Sequence, residues 1–281
     1  MVTYKIGEFE LELSSGHIYN YPTLPATYDA VPLAVIMDAI AQFPERIAFI
    51  DVGANIGDTA AHVKAWDSRI PYLAIEPSEG FFQLLQKNAK AFSDFHALQA
   101  LVVPEHLKDR IEFNAGDQTG YTKASVHRTA LGIRQVTTDE IISMVDGKIA
   151  FKTDTDGFDK EIVNALLDSI KEHVDRVPLI YFEASSESEN LSGDLDEWKT
   201  LYSRLIDQGY NLLFCKNDGT PYVNVGKCKA AAYSSAAALH ISAKLGRMTC
   251  HYFDVIAYRD EASTDYLTLR RDWESSWARG Q

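Results

Sequence analysis

Three stretches of this chain hold residues whose types and spacing could do chemistry. The first is Asp51-Val52-Gly53-Ala54-Asn55-Ile56-Gly57, which follows the apolar run Ile47–Ile50. The second is Glu76, set between Ile75 and Pro77 at the end of another apolar run. The third is acidic: Asp154 and Asp156 close the run Ile149–Thr153, and Glu183 closes Leu179–Phe182. Glycines at a strand-to-helix turn let the backbone bend sharply and approach a ligand with no Cβ in the way. Helix amides at Asp58 and Thr59 could then receive an anionic group. A carboxylate at the end of the next strand can accept both hydroxyls of a ribose. Gly53 with Gly57, and Asp51 with Glu76, therefore point to a nucleoside ligand.

The spacing narrows the choice of nucleoside. A dinucleotide loop needs Gly-x-Gly-x-x-Gly, but Asn55 stands where the middle glycine belongs and Asp58 where the third does. A P-loop is excluded because no Gly-Lys-Ser/Thr follows. S-adenosylmethionine carries an ammonium, a carboxylate and a ribose diol but no phosphate. Asp51 suits its ammonium end and Glu76 its ribose. Asp117, in Gly116-Asp117-Gln118, either accepts from the adenine amino group or belongs to a surface turn. At the third stretch, Asp154 is placed to act beside a reacting methyl, with Asp156 next to it; both also read as loop caps for the following helix. Asp154, Asp156 and Glu183 together suit a hard cation such as Mg²⁺, or are ordinary solvated strand ends. The order Asp-x-Asp-Gly-x-Asp at 154–159 is not that of a calcium loop. His127 and Arg128 read as exposed loop residues, and Tyr19, Tyr21 and Tyr28 as packing of an N-terminal extension.

The elements that must position these groups alternate. Buried strands are expected at 47–52, 71–76, 95–103, 149–154, 179–183, 210–214 and 252–258. Helices are expected at 30–43, 58–66, 158–170, 198–208 and 230–243, with a further one after a Ser78 cap that contains Phe81, Phe82, Leu84, Leu85 and Ala89. Tyr4–Leu13 reads as a strand or short hairpin, Ile111–Asn114 as a short strand, and 115–121 as a loop. Such alternation implies a doubly wound α/β fold, mostly parallel, with an antiparallel last strand. One domain is expected: an extension to residue 30, a Rossmann-like core over 31–260, and a tail over 261–281.

The chain has 281 residues, 46% of them hydrophobic, and a net charge of −13, which argues against a nucleic-acid partner. Its three cysteines lack the spacing of a disulfide framework or a zinc site. No apolar run is long enough for a membrane span and no leader is evident, so a cytoplasmic location is expected.

The chain resembles the FkbM family of methyltransferases. The resemblance rests on Asp51–Gly57, on Ile75-Glu76-Pro77, on Leu84-Leu85-Gln86-Lys87-Asn88 and on Phe151–Asp159. In the last motif Lys152, Asp154 and Gly157 match outright. Asp156 and Asp159 replace glutamates, Thr155 replaces an apolar residue, and Phe158 replaces a small one. The resemblance implies a class I methyltransferase fold, S-adenosylmethionine as cofactor, and O-methylation of a sugar, glycan or natural-product hydroxyl. Two alternatives differ in class. An NAD-dependent oxidoreductase or epimerase would require the missing third glycine and a Tyr-x-x-x-Lys pair, which the chain lacks. A degenerate fold acting only as a binding protein would be expected to lose Asp51 and Glu76, and both are present.

Overall fold

The computed structural model describes residues 2–14, 30–115, 120–124, 132–185, 191–216, 220–244 and 252–262. The chain opens with an antiparallel hairpin of β1 (Thr3–Ile6) and β2 (Phe9–Glu12), followed later by α1 (Ala30–Ile40). The alternating part then runs β3 (Ile47–Val52), α2 (Asp58–Trp66), β4 (Tyr72–Ile75), α3 (Glu79–Asn88) and β5 (Phe95–Leu98). Three short pieces follow: β6 (Leu101–Val102), the hairpin β7 (Ile111–Ala115) with β8 (Gly120–Ala124), and β9 (Gln135–Val136). After α4 (Thr138–Ser143) come β10 (Lys148–Thr153), α5 (Asp159–Ser169) and β11 (Leu179–Ser185). The chain continues through α6 (Leu191–Asp207), β12 (Asn211–Lys216), β13 (Pro221–Gly226), α7 (Lys229–Lys244) and β14 (Tyr252–Tyr258).

Eight strands form one sheet in the order β13-β12-β14-β11-β10-β3-β4-β5. β10 pairs in parallel with β3 and β11, and β3, β4 and β5 are parallel in turn. β14 is antiparallel to both of its neighbours, as expected for the last strand. Every residue of β3 and β4 is buried, which is why these segments read as unbroken apolar runs. One face of the sheet packs against α4, α5, α6 and α7. The other packs against α1, α2 and the N-terminal hairpin.

The chain leaves β3 toward β4 and β5, then returns to β10 on the other side of β3. That reversal opens a crevice beyond the carboxyl ends of β3 and β10, where α/β sheets place ligands.

The expected elements are present with three revisions. The strand expected over 95–103 is interrupted. Leu98 still accepts from Glu76 N, whereas Leu101 and Val103 donate to Arg134 and Val136 and so join β9. The helix expected to reach Phe43 ends at Ile40, in a turn that leads to Pro44. Three strands and one helix stand outside the expected set: β8, paired with β7, β9, paired with β6, the edge strand β13, paired with β12, and α4.

One side chain ties the hairpin to the crevice. Asn88, at the end of α3, is 7% exposed. Its amide nitrogen donates to Ile56 O at 2.8 Å and to Glu12 O at 3.2 Å, and its oxygen accepts from Glu12 N at 2.8 Å. Removing it strands three backbone groups. Asn88→Ala should lower unfolding free energy by about 2–3 kcal/mol, read from urea denaturation. A loss below about 0.5 kcal/mol would contradict the bracing role.

Candidate functional site

The site grows out of the turn after β3. Gly53 N and Ala54 N both donate to Ile75 O at 3.0 Å, which fixes the loop to the end of β4. Gly53 has φ +81° and Gly57 φ +92°, and Asn55 lies between them at φ +46°. A Cβ on Gly53 would stand 1.9 Å from the carbonyl oxygen of Asp154. A Cβ on Gly57 would meet Leu85 at 2.9 Å. Close approach and backbone conformation together require glycine at 53; at 57 the Leu85 methyl can give way, and the left-handed φ is what favours glycine. Ile56, fully buried, seals the underside of the turn against Leu13 and Phe81.

Asp51 lies beneath this loop and is 0% exposed. The Tyr72 hydroxyl donates to Asp51 Oδ2 at 2.7 Å, and Lys152 Nζ donates to Oδ1 at 3.1 Å. The β-sheet register sets this up, since Lys152 is the β10 partner of Asp51. Tyr72 is aimed by stacking between Phe49 and Phe95, with ring centroids 5.2 and 5.4 Å away. Burial raises the Asp51 carboxyl pKa, while Lys152 and Tyr72 oppose the shift. Contact with a cofactor ammonium would require one of these oxygens to be shared.

Glu76 bridges the loop and the next helix. Its Oε2 accepts from Asn55 N at 2.9 Å and its Oε1 from Ser78 N at 2.8 Å, at the start of α3. Burial pushes its pKa up to about 7 although both backbone amides favour the charged form.

On the β10 side, Asp154 N donates to Val52 O at 3.0 Å, so the two loops are joined through backbone as well as through Gly53. The Asp154 side chain is 43% exposed, and Lys152 Nζ reaches its Oδ2 at 3.4 Å. Asp156 is exposed, at φ +50°, and Gly157 follows at φ +104°. Asp159 turns back into the protein. It accepts from Thr153 Oγ1 at 2.8 Å and from Thr155 N at 3.2 Å. Phe158, the bulky residue in this motif, is buried in the core beneath α5. Glu183 is half-buried and faces Asp254 directly across the β11–β14 ladder.

These acids raise one another. Burial, then neighbouring carboxylates led by Asp154, put the Glu183 pKa far above the carboxylate range. Asp254 is pushed up to about 8 by burial and then Asp154, and Asp159 up to about 7 by burial and then Asp154.

Among the described residues no group of three His, Cys, Asp or Glu side chains is arranged to hold a metal ion. The expected Mg²⁺ site of Asp154, Asp156 and Glu183 is corrected accordingly. Asp156 stands at an exposed turn, while Glu183 is half-buried opposite Asp254.

The structure thus brings Asp51, Gly53, Asn55, Gly57, Glu76 and Asp154 to one crevice. Asp117, His127, Arg128, Tyr19, Tyr21 and Tyr28 lie outside the described residues. Tyr72 and Asp254 join the site although motif reading gave them no part, and Asn88, which lies in the 84–88 motif, joins it with no role assigned from sequence. A lone acid inside the apolar strand Tyr252–Tyr258 was the available signal for Asp254.

No protein-family model matches the chain, and no curated protein matches it in sequence. Its fold is similar to three solved structures. One is the precorrin-6y C5,15-methyltransferase from Geobacter metallireducens GS-15, at 14% identity over 81% of this chain and 87% of that one, TM-score 0.37. Another is the plantazolicin methyltransferase BamL in complex with a triazolic desmethylPZN analog and SAH, at 9% identity over 84% and 86%, TM-score 0.44. The third is the Methanococcus jannaschii fibrillarin pre-rRNA processing protein, at 11% identity over 92% and 82%, TM-score 0.43.

Two predictions follow from the geometry. Gly53→Ala combines a left-handed φ with the Asp154 clash, so it should cost at least about 2 kcal/mol in urea unfolding. The raised carboxyls set a pH trend. A group that binds its proton more readily when folded contributes stability below its unfolded pKa of about 4, and that stability is lost as pH rises through the folded value. The thermal midpoint should fall between pH 5 and 8, and Asp254→Asn should flatten the fall. An unchanged slope in that variant would contradict the assignment.

The mostly parallel sheet, its strand order and the antiparallel β14 make this a Rossmann-like class I methyltransferase fold.

Proposed function

We propose that the chain is an S-adenosylmethionine-dependent methyltransferase acting on a hydroxyl of a sugar, glycan or natural product. The observation that carries this reading is Glu76. Its carboxylate ends β4 and is held to the glycine loop by Asn55 N–H and to α3 by Ser78 N–H. An ionised carboxylate has about four lone-pair sites, so each oxygen keeps one for a ribose hydroxyl. The Gly53 turn, where no Cβ fits, supplies the close backbone approach that the rest of the nucleoside requires. The residues present therefore fit the cofactor.

In this reading Glu76 accepts the ribose diol. Gly53, Asn55 and Gly57 shape the loop around the amino-acid end, and Asp51 supports that end from beneath. Asp117 accepts from the adenine amino group. When bound, the cofactor supplies a methyl group already activated on a sulfonium. The crevice holds the acceptor oxygen in line with that methyl and excludes water, which lowers the entropic part of the barrier. Asp154, on the exposed rim next to Gly53, takes the hydroxyl proton, with Asp156 beside it. The hydroxyl acceptor and the assignment to the FkbM family are supported by the Phe151–Asp159 motif. Among the described residues no helix is long and apolar enough to cross a membrane. We place the protein in the cytoplasm, where Cys215 and Cys228 would stay reduced.

Titration calorimetry with S-adenosylhomocysteine, S-adenosylmethionine and NAD tests the reading. Both adenosyl ligands should bind and NAD should not; the reverse would favour an oxidoreductase. The Glu76 pKa of about 7 adds a sharper expectation. Ribose hydroxyls favour the ionised carboxylate, so binding releases a proton. Affinity for S-adenosylhomocysteine should rise from pH 6 to pH 8, by up to about tenfold per unit below the pKa, and then level off. Glu76→Gln should bind more weakly with no rise over that window. A rise preserved in the variant would remove Glu76 from the ribose site.

A further inference from the structure

We propose that Lys152 is a positioning residue that fixes the carboxylate of Asp154 at the rim of the cofactor loop. This rests on the reading of the crevice as the S-adenosylmethionine site. Lys152 is 2% exposed and comes from the middle of the sheet. Its ammonium makes two arms. The inner arm reaches Asp51 Oδ1 at 3.1 Å, and Asp51 is itself pinned from the other side by Tyr72 at 2.7 Å. The outer arm reaches Asp154 Oδ2 at 3.4 Å, where the side chain is 43% exposed.

The Asp154 backbone is already locked, because its N–H donates to Val52 O and its carbonyl abuts Gly53. What remains to be set is the carboxylate, and Lys152 sets it from a buried anchor bonded to Asp51. Asp154 also stands near Asp159, Glu183 and Asp254, so a cation beside it favours its ionised form. A carboxylate held in one orientation beside the loop distinguishes a ligand with a sulfonium from its neutral thioether product.

The test is a double-mutant cycle read as the ratio of S-adenosylmethionine to S-adenosylhomocysteine affinity. Loss of fold stability weakens both ligands together and leaves the ratio alone. Asp154→Asn in the wild-type background should lower the ratio at least fivefold. In a Lys152→Met background the same change should alter it less than twofold. Lys152→Met alone leaves Asp51 charged and buried, so the cycle is repeated with Asp51→Asn/Lys152→Met, which removes both charges of the inner pair. An equal effect of Asp154→Asn with and without Lys152 overturns the positioning role while leaving the cofactor reading in place. So does a ratio that Asp154→Asn never changes. A wild-type protein that binds neither adenosyl ligand overturns both.

Discussion

Everything at the crevice depends on one contact: the loop after β3 and the loop after β10 meet at Gly53, with no room between them for a side chain. The Asp154 carbonyl occupies the place where a Cβ would go. Because the two strands are register partners from Ile47–Lys148 to Val52–Thr153, the contact is set by the sheet and not by the loops alone. It brings a glycine turn suited to a nucleoside within one residue of an exposed acid suited to proton transfer. In the proposed function, binding and chemistry therefore share one floor.

That floor is charged, which is unusual for the middle of a sheet. Asp51, Lys152 and Tyr72 form a buried polar row flanked by apolar neighbours, and Glu76, Asp159, Glu183 and Asp254 surround it. Buried ion pairs give little net stability, and taking away one partner is expensive. The row is better understood as a way of fixing orientation at the cost of some stability. The upward shifts of the surrounding carboxyl groups express the same tension, since burial penalises their charged forms.

Much of this was legible in the sequence. Ile47–Val52 and Ile149–Thr153 announce fully buried parallel strands, and the glycine spacing excludes a diphosphate loop. Glu76 was identifiable because a lone acid before proline at a strand end has few structural reasons to be there. Other features depend on register, which a single sequence does not encode. Nothing in the spacing of residues 51 and 152 says that they are neighbours, and Tyr72 reads as an ordinary strand aromatic until Phe49 and Phe95 aim its hydroxyl. Asn88 stood in a recognised motif, but its task of holding Ile56 O needs the hairpin in place. The break between β5 and β6 was hidden because both pieces are apolar. The proposed metal triad failed for a related reason: strand-end acids that look equivalent in sequence differ in setting, with Asp156 on an exposed turn at positive φ and Glu183 half-buried opposite Asp254.

The most direct test of this account is a crystal structure with S-adenosylhomocysteine bound. The account predicts both ribose hydroxyls on Glu76, the amino-acid end along Gly53–Gly57, and the sulfur on the side of Asp154. A nucleoside seated elsewhere, or a ribose that makes no hydrogen bond to Glu76, would contradict it.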